Sequence, residues 1–161
     1  MSTQRLEETA DETAAALLET LRSQGGAGEE DPAAVTAEIL NETARSIEDA
    51  DRLRVDHGLV TQSLEELLLM LVGLRTNDAS GKGIMEDLDR FLGAQPSPGT
   101  VYPTLHDLEE RGLLDVHELV QTKEYLIDDE GAAAQALREA ARQHRAMGQL
   151  FQRALDDIGD E

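Results

Sequence analysis

The stretch "SPGTVYPTLHDLEERGLL", residues 97–114, combines features that an ordinary core helix avoids. Ser97 can cap a helix that has Pro98 at its first position. Pro103 conflicts with this start, because a proline ring inside a helix clashes with the carbonyl four residues earlier and removes a hydrogen bond, at roughly 3 kcal/mol. The conflict is smaller if Thr100 is the effective cap and Pro103 lies in the first turn, where amides are unpaired. Both alternatives predict a helix with an exposed beginning.

The rest of this stretch predicts how the helix packs and where it ends. Leu105, Leu108 and Leu113 recur at helical spacing and are expected to point inward. Gly112 is expected to end the helix with a left-handed turn. We therefore expect the segment Gly99 to Tyr102 to be accessible at the start of the helix.

Two further helices are predicted upstream. The pattern breaks at His57-Gly58, after which Thr61 or Ser63 caps a strongly apolar helix that ends near Arg75. Ser80 caps the next helix. Its apolar positions follow the 3.6-residue period: Ile84, Met85, Leu88, Phe91 and Leu92.

A hairpin and a long helix are predicted downstream. Residues 113–120 and 122–128 alternate apolar and polar positions around a short polar turn, as two paired strands would. A long helix then begins at Asp128 or Asp129. The predicted class is mainly α with a small β-hairpin, in the element order of a winged helix-turn-helix. Other small α+β domains share this order.

The first 56 residues predict an acidic helical extension. Residues 3–23 have a helical pattern, a Gly-rich acidic linker covers residues 23–31, and Asp31-Pro32 is expected to begin a second helix that runs to about Val55. The positions expected to face inward in the second helix are Val35, Ile39, Leu40, Ile47 and Leu53. Neither helix has enough large apolar residues to fold alone. The extension is either a dimer-stabilising arm or partly disordered.

The composition is dominated by charge. The chain has 161 residues, 34 of them acidic and 14 basic, for a net charge of −20. The acids are spread along the chain, and Lys82 and Lys123 are the only lysines. An even acidic coat of this kind is typical of proteins that work in molar salt, where charges are screened within about 3 Å. An acidic mesophilic protein is the alternative, and in dilute buffer its charge would oppose binding to nucleic acid.

Several classes of function find no support in the sequence. The chain has no cysteine, so disulfides and thiolate metal sites are excluded. The apolar runs are shorter than a membrane span and the N-terminus has no apolar signal region, which together predict a cytoplasmic protein. The four histidines match no recognised metal-ligand set, and no nucleophile–base arrangement is legible. We therefore expect neither an enzyme, nor a cofactor, nor a metal site.

The exposed helix start has the chemistry of a DNA-reading helix. The first residues of a recognition helix meet base edges, and free amides there can hold a phosphate. Thr100 offers a hydroxyl and a methyl group, Val101 can touch a thymine methyl, and Tyr102 can bond a phosphate. The alternative is that Tyr102 belongs to the core and Ser-Pro-Gly forms a simple turn.

The motifs resemble those of the PadR-like winged-helix transcriptional regulators, especially haloarchaeal members. The family's Gly-x-x-Ile helix start is matched by Gly81 and Ile84, and its aromatic wing strand and following Gly by Tyr125 and Gly131. The recognition-helix signature is matched by Gly99, Val101, Tyr102, Pro103, Leu105, Leu108, Gly112 and Leu113. The resemblance covers about residues 64–145. It implies a dimer formed largely through the C-terminal helix, with a recognition helix and a wing from each subunit on the DNA.

Two departures from the family pattern affect the expected DNA contacts. Ser80-Gly81-Lys82 stand where the family usually has His-Gly-Tyr, and Gln121-Thr122-Lys123 stand where haloarchaeal relatives often have arginines at the wing tip. A less basic wing weakens the case for deep insertion into the minor groove. Lys82 and Lys123 are the expected phosphate contacts, while Arg111 is expected to serve the helix dipole or a nearby carboxylate.

The predicted organisation is an extension at residues 1–56, a DNA-binding domain at 57–128 and a dimerisation helix at 129–161. The predicted DNA-binding residues are Lys82, Ser97, Gly99, Thr100, Val101, Tyr102, Thr104, Gln121, Thr122 and Lys123. The predicted dimerisation residues are Leu137, Ala141, His144, Met147, Leu150, Phe151 and Leu155.

The sequence therefore predicts a dimeric regulator that binds double-stranded promoter DNA in high salt, with bound salt cations between acidic protein and phosphate. The alternative is an acidic winged-helix module that binds protein and not DNA. The helix start favours DNA, because Gly99 to Tyr102 contain no acid and the acidic residues Asp107, Glu109 and Glu110 follow only after the first turns.

Overall fold

The computed structural model describes residues 31–47, 55–77 and 79–159. The predicted helix at residues 3–23 and the Gly-rich linker lie outside them. Six helices and two strands follow one another in the described residues: α1 (Ala34–Ser46), α2 (His57–Gln62), α3 (Leu64–Leu74), α4 (Gly81–Leu92), α5 (Pro98–Glu110), β1 (Leu114–Glu118), β2 (Lys123–Ile127) and α6 (Glu130–Ile158). The predicted fold class is confirmed, including the long C-terminal helix.

The core forms where α3 packs against α5, β2 and α6. The side chains of α3 that face this core are four leucines and Val72, and α4 and α5 add apolar side chains at helical spacing. The largest fully buried apolar side chains are Val60, Leu68, Leu71, Ile84, Leu88, Val101, Leu105, Leu108 and Leu114. The inward positions predicted for α4 and α5 are therefore confirmed.

The two strands pair as the predicted hairpin, in antiparallel register, and gain a short third partner. Leu114 lies opposite Ile127 and Glu118 opposite Lys123. Ser80 forms an isolated antiparallel bridge to Glu124, and the amide of Tyr125 donates to the carbonyl of Ala79 at 2.9 Å. This backbone pairing, which the sequence did not predict, joins the start of α4 to the wing.

The helix α1 is shorter than predicted. It begins at Ala34 and ends at Ser46, while Asp31 accepts a hydrogen bond from the amide of Ala33 at 3.0 Å in the preceding turn. Ile39 and Ile47 are 37% and 47% exposed. Their predicted inward orientation is therefore wrong in the described chain, where Thr36 and Ala44 are the buried residues of the helix. Leu53 lies outside the described residues.

The break predicted at His57-Gly58 is also wrong. These residues begin α2, because the carboxylate of Asp56 caps the helix by accepting a hydrogen bond from the amide of Gly58 at 3.2 Å. An aspartate at this position satisfies an amide that the helix itself cannot. The sequence pattern missed this cap because α2 is too short to show a period.

The start of α5 follows the first of the two predicted alternatives. Ser97 is the N-cap and Pro98 the first helical residue, so Pro103 lies inside the helix beyond its first turn. The Ser97 hydroxyl lies 3.1 Å from that of Thr100, and the Thr104 hydroxyl donates to the Thr100 carbonyl at 2.8 Å. These side-chain hydrogen bonds support a helix start in which Pro103 cannot donate an amide bond.

A buried ion pair joins the end of α3 to α4. Nη1 of Arg75 lies 2.6 Å from Oδ2 of Asp87 and donates to the Gly83 carbonyl at 3.0 Å, with both side chains about 5% exposed or less. Burial raises the pKa of Asp87, and the hydrogen bond from Arg75 opposes that rise. The attraction between the two charges therefore only offsets the large desolvation cost of burying them. The intact pair contributes little net stability.

Candidate nucleic-acid interface

The beginning of α5 and the wing face each other across a cleft of about 570 Å³. We call it the helix–wing cleft. It is lined by Ser80, Gly81, Lys82, Tyr102, His106, Glu109, Gln121, Thr122, Lys123 and Tyr125. The structure therefore brings together five of the ten predicted DNA-binding residues, which come from three separate parts of the sequence.

Tyr102 is positioned by a glycine of the neighbouring helix. Its ring covers Gly81, where an added Cβ would lie 2.5 Å from both Cε1 and Oη of Tyr102. Gly81 is buried, while Tyr102 remains 44% exposed. The absence of a side chain at Gly81 thus allows the hydroxyl end of the ring to lie against the start of α4. Tyr102 is consequently neither a core residue nor a freely rotating surface residue.

Val101 is the predicted DNA contact that the structure contradicts. Its side chain is fully buried, together with Leu105 and Leu108 on the inner side of α5. Consecutive helical residues differ by about 100° around the helix axis, so exposing Tyr102 and Thr100 on either side turns Val101 inward. Val101 packs on the core side of the recognition helix and cannot touch a thymine methyl.

The hydroxyl residues of the α5 start lie toward a second cleft. Ser97 and Gly99 are exposed, and Thr100 and Thr104 are half-buried. The second cleft has a volume of about 420 Å³ and is lined by Thr61, Gln62, Leu64, Glu65, Thr100, Pro103, Thr104 and Asp107. The exposed ridge of α5 thus lies between two concave surfaces, with Tyr102 on one side and Thr100 on the other.

The cations of the domain divide into engaged and accessible ones. Nη1 of Arg111 binds Asp107 at 2.8 Å and Glu65 at 2.9 Å, and these hydrogen bonds raise the pKa of Arg111. Arg90 binds Asp31 at 2.7 Å, and with the Ala33 amide it lowers the pKa of Asp31. The expectation that Arg111 serves a carboxylate is therefore met in the described structure.

The two lysines remain near solvent beside the helix–wing cleft. Lys82 is exposed in the first turn of α4. Nζ of Lys123 lies 3.8 Å from Oε1 of Glu118, and both side chains are more than half exposed. An exposed pair at this distance contributes less than about 1 kcal/mol, so Lys123 can exchange Glu118 for a phosphate at little cost.

Acidic groups flank the same surface further along α5. The ring of His106 lies 3.3 Å from Oε1 of Glu110 and 3.7 Å from Oε2 of Glu109. Carboxylates next to a bound duplex would repel its phosphates in dilute buffer. The geometry is therefore compatible with DNA where salt screens these charges or where cations bind between them.

The wing tip carries apolar residues that sequence reasoning did not select. Val120 is fully exposed and Leu119 is 56% exposed at the end of the hairpin. In the described parts of the chain, no other element lies against this turn to cover either side chain.

The C-terminal helix leaves the body of the domain after its first turns. Leu137 is half-buried against the domain, whereas Ala141, Met147, Leu150, Phe151 and Leu155 are exposed. His144 differs from the others, since Nε2 lies 3.2 Å from the Ser63 hydroxyl and Nδ1 2.7 Å from the Ala140 carbonyl. The hydrogen bond between His144 and Ser63 therefore links α6 to the start of α3 within one chain.

Comparison with known proteins gives a matching family model and three named relatives, all transcriptional activators by name. Residues 68–137 match the model of the transcriptional regulator PadR-like family. The chain is 45% identical over 86 residues to "Transcriptional activator GvpE1" of Halobacterium salinarum, covering 52% of this chain and 44% of that protein. It is 42% identical over 85 residues to "Transcriptional activator GvpE" of Haloferax mediterranei, covering 53% and 43%. The chain thus spans less than half the length of the curated relatives it matches.

Among solved structures, Pex from Synechococcus covers 64% of this chain and 95% of its own. The TM-score is 0.38 and the sequence identity 13%, a likeness too weak to inform the function. No helix in the described parts of the chain is long and apolar enough to cross a membrane.

Proposed function

We propose that this chain, whose residues 68–137 match the model of the PadR-like family of transcriptional regulators, is a regulator that acts as a dimer on double-stranded promoter DNA. The observation that carries this proposal is the placement of Tyr102. Gly81 holds its ring at the exposed start of α5, opposite the lysine-bearing wing. An exposed aromatic residue at the start of a helix suits contact with a sugar–phosphate backbone.

The proposed contacts divide by chemistry. Tyr102, Lys82 and Lys123 bind phosphates from the helix–wing cleft, and Gln121 and Thr122 at the wing add backbone contacts. Ser97, Gly99, Thr100 and Thr104 present the α5 ridge to base edges, with Thr100 as the residue best placed to read sequence. Val101 is excluded from this set because it is buried.

The test of this proposal is fluorescence anisotropy with the DNA upstream of the chain's own coding sequence, in molar KCl. Tyr102→Phe removes only the hydroxyl and Tyr102→Ala the whole side chain, while Thr100→Ala probes base reading. Thr43→Ala on α1, outside the proposed surface, is the matched control. We expect saturable binding that Tyr102→Ala and Thr100→Ala weaken and Thr43→Ala leaves unchanged. If wild-type protein that is folded and dimeric binds no DNA at any salt, the alternative of a protein-binding module replaces the proposal.

The second half of α6 is proposed as the dimer interface. Met147, Phe151, Leu155 and Ile158 are 50–74% exposed and recur at helical spacing. Such a stripe on an otherwise charged helix is stable when a second copy covers it. The N-terminal extension would add to this interface as an arm.

Introducing negative charge into this apolar stripe is expected to separate the subunits. Phe151→Asp with Leu155→Asp loses apolar burial worth roughly 1.5–3 kcal/mol per side chain, twice over in a symmetric dimer. Sedimentation in molar KCl should then give the 17.6 kDa of one chain where wild type gives twice that mass. Gln149→Asp, on the opposite side of α6, is the control and should remain dimeric. A variant that sediments as a dimer would place the interface elsewhere.

The affinity for DNA is expected to tolerate salt. Ordinary DNA-binding proteins lose affinity steeply as salt rises, because they release counterions from phosphates. This chain has a net charge of −20, and most arginines of its DNA-binding domain are paired with carboxylates. Cations must therefore fill the gap between the acidic protein and phosphate, so we expect affinity to hold or rise from low to molar KCl. A steep, monotonic fall over this range would contradict the role of bound cations.

The biological setting is proposed from the relatives. The two relatives come from Halobacterium and Haloferax and are named activators, so we infer a halophilic, cytoplasmic protein that activates transcription. The motifs also suggested similarity to the reactive-oxygen-species regulator RosR and hence a role in stress. That more specific relationship stays a prediction. Since the chain has no cysteine, an oxidative signal would have to act through a ligand, a methionine or a partner.

A further inference from the structure

Building on the proposed DNA binding, we infer that the wing tip is an apolar wedge: Leu119 and Val120 enter the minor groove and unstack a base step. This goes beyond phosphate contact by the wing, because it makes the protein deform its DNA. Side chains such as leucine are used in this way by proteins that bend DNA from the minor groove.

The geometry of the hairpin supports this role. The amide of Leu119 donates to the Thr122 carbonyl at 2.7 Å, so the paired backbone continues to the tip and leaves Val120 and Gln121 at its apex. Val120 is fully exposed. A fixed hairpin can press an apolar side chain into a base stack without first ordering a loop, and ordering would otherwise reduce affinity.

The position of the tip points to DNA as its occupant. Gln121, Thr122 and Lys123 line the helix–wing cleft with Tyr102 and Lys82. A duplex contacted by the start of α5 therefore passes beside the tip. The interface is continuous, from the aromatic edge through the lysines to the apolar apex.

Charge explains why an apolar tip suits this chain. Lys123 is paired with Glu118 at 3.8 Å, and Asp115 and Glu124 give the hairpin a net negative charge, so the wing cannot rely on attraction to phosphates. Charge–charge attraction is also screened in molar salt, whereas removal of apolar surface from water is not. An apolar wedge therefore supplies binding free energy under the conditions in which arginine contacts would be weakest.

The experiment uses a duplex selected from a random-sequence pool by the full-length wild-type chain in molar KCl. Fluorophores at its two ends report bending by energy transfer, and 2-aminopurine placed at successive steps reports unstacking. The test variant is Leu119→Thr with Val120→Thr, since threonine retains β-branching and strand propensity at nearly the same size as valine. Leu126→Thr is the matched control, an exposed apolar residue of the same hairpin that lines the groove against α3 and α6.

We expect the wild type and the control to bend the duplex by about 20–90° and to brighten 2-aminopurine at one step per wing. The double threonine variant should lose both signals and bind roughly tenfold or more weakly, as the loss of two buried apolar side chains requires. Binding, bending and fluorescence identical to wild type would overturn the wedge and leave the proposed DNA binding intact. Unchanged DNA binding with loss of activated transcription would assign the tip to a protein partner and also overturn it. Failure of the wild type to select any duplex would remove the proposed function itself.

Discussion

Replacing Gly81 with alanine is expected to weaken DNA binding at least as much as removing the Tyr102 side chain, although Gly81 itself need touch no DNA. The new Cβ would lie 2.5 Å from Cε1 and Oη of Tyr102, so the ring must leave its position. The ring is half-exposed and can rotate into solvent, and alanine favours a helix over glycine by about 1 kcal/mol. Stability should therefore change little, while affinity falls by roughly a hundredfold, as for loss of a well-positioned contact worth about 3 kcal/mol.

A double-mutant cycle separates this effect from general damage. Once Tyr102 is alanine, Gly81→Ala should weaken DNA binding no further, because the contact it disturbs is already absent. Gly148→Ala, at a helical position where an added Cβ meets nothing within 4 Å, should leave affinity unchanged. Additive losses from Gly81→Ala and Tyr102→Ala would show that the two residues do not act together.

Removing the carboxylate of Asp87 is expected to cause the largest loss of stability. Asp87→Ala leaves the Arg75 guanidinium 5% exposed with no counter-charge, whereas the intact pair is joined at 2.6 Å. Breaking a buried pair in this way costs about 3–5 kcal/mol. Urea unfolding in molar KCl should therefore show a midpoint lowered in proportion, with the slope unchanged.

The matched controls address whether charge burial causes the loss. Glu86→Ala, which removes an exposed carboxylate from the same helix, should change stability by less than about 0.5 kcal/mol. The double variant Arg75→Met, Asp87→Leu should recover most of the loss, because apolar residues of similar volume replace a buried pair at little cost. If Asp87→Ala were as stable as Glu86→Ala, the pair would not be buried as described.

The fold was predictable where the signal was local and periodic. Ser63, Ser80 and Asp129 precede helices that begin where expected, and Gly112 ends α5 with φ of +79°. The alternation of apolar and polar residues on both sides of the turn at residues 121–122 predicted the hairpin. These features depend on neighbouring residues, so one sequence is enough to read them.

The features that failed depend on contacts between distant segments. The pairing of Ala79 and Ser80 with the second strand has no periodic signal, since it involves only two residues. Val101 is a different case. It was expected at the surface because it lies at the exposed helix start, although its spacing of four residues from Leu105 and seven from Leu108 places it on the inner side of α5.

The candidate site was predictable in composition but not in arrangement. Tyr102, Lys82 and Lys123 follow from motifs and charge, yet only the structure brings them to one cleft. The contact between Tyr102 and Gly81 was hidden because two separate motifs of the resemblance carry the two residues. Nothing in the sequence around Gly81 indicates that its missing side chain leaves room for the ring of Tyr102.

Hydrogen–deuterium exchange with and without bound DNA, in molar KCl, tests the central claim most directly. With the duplex bound, we predict slower exchange in peptides that cover residues 97–104 and 119–123 and an unchanged rate at the Asp56-capped helix α2. Protection confined to α6, or unchanged exchange at residues 97–104 while anisotropy shows that DNA is bound, would contradict the assignment of this surface to DNA.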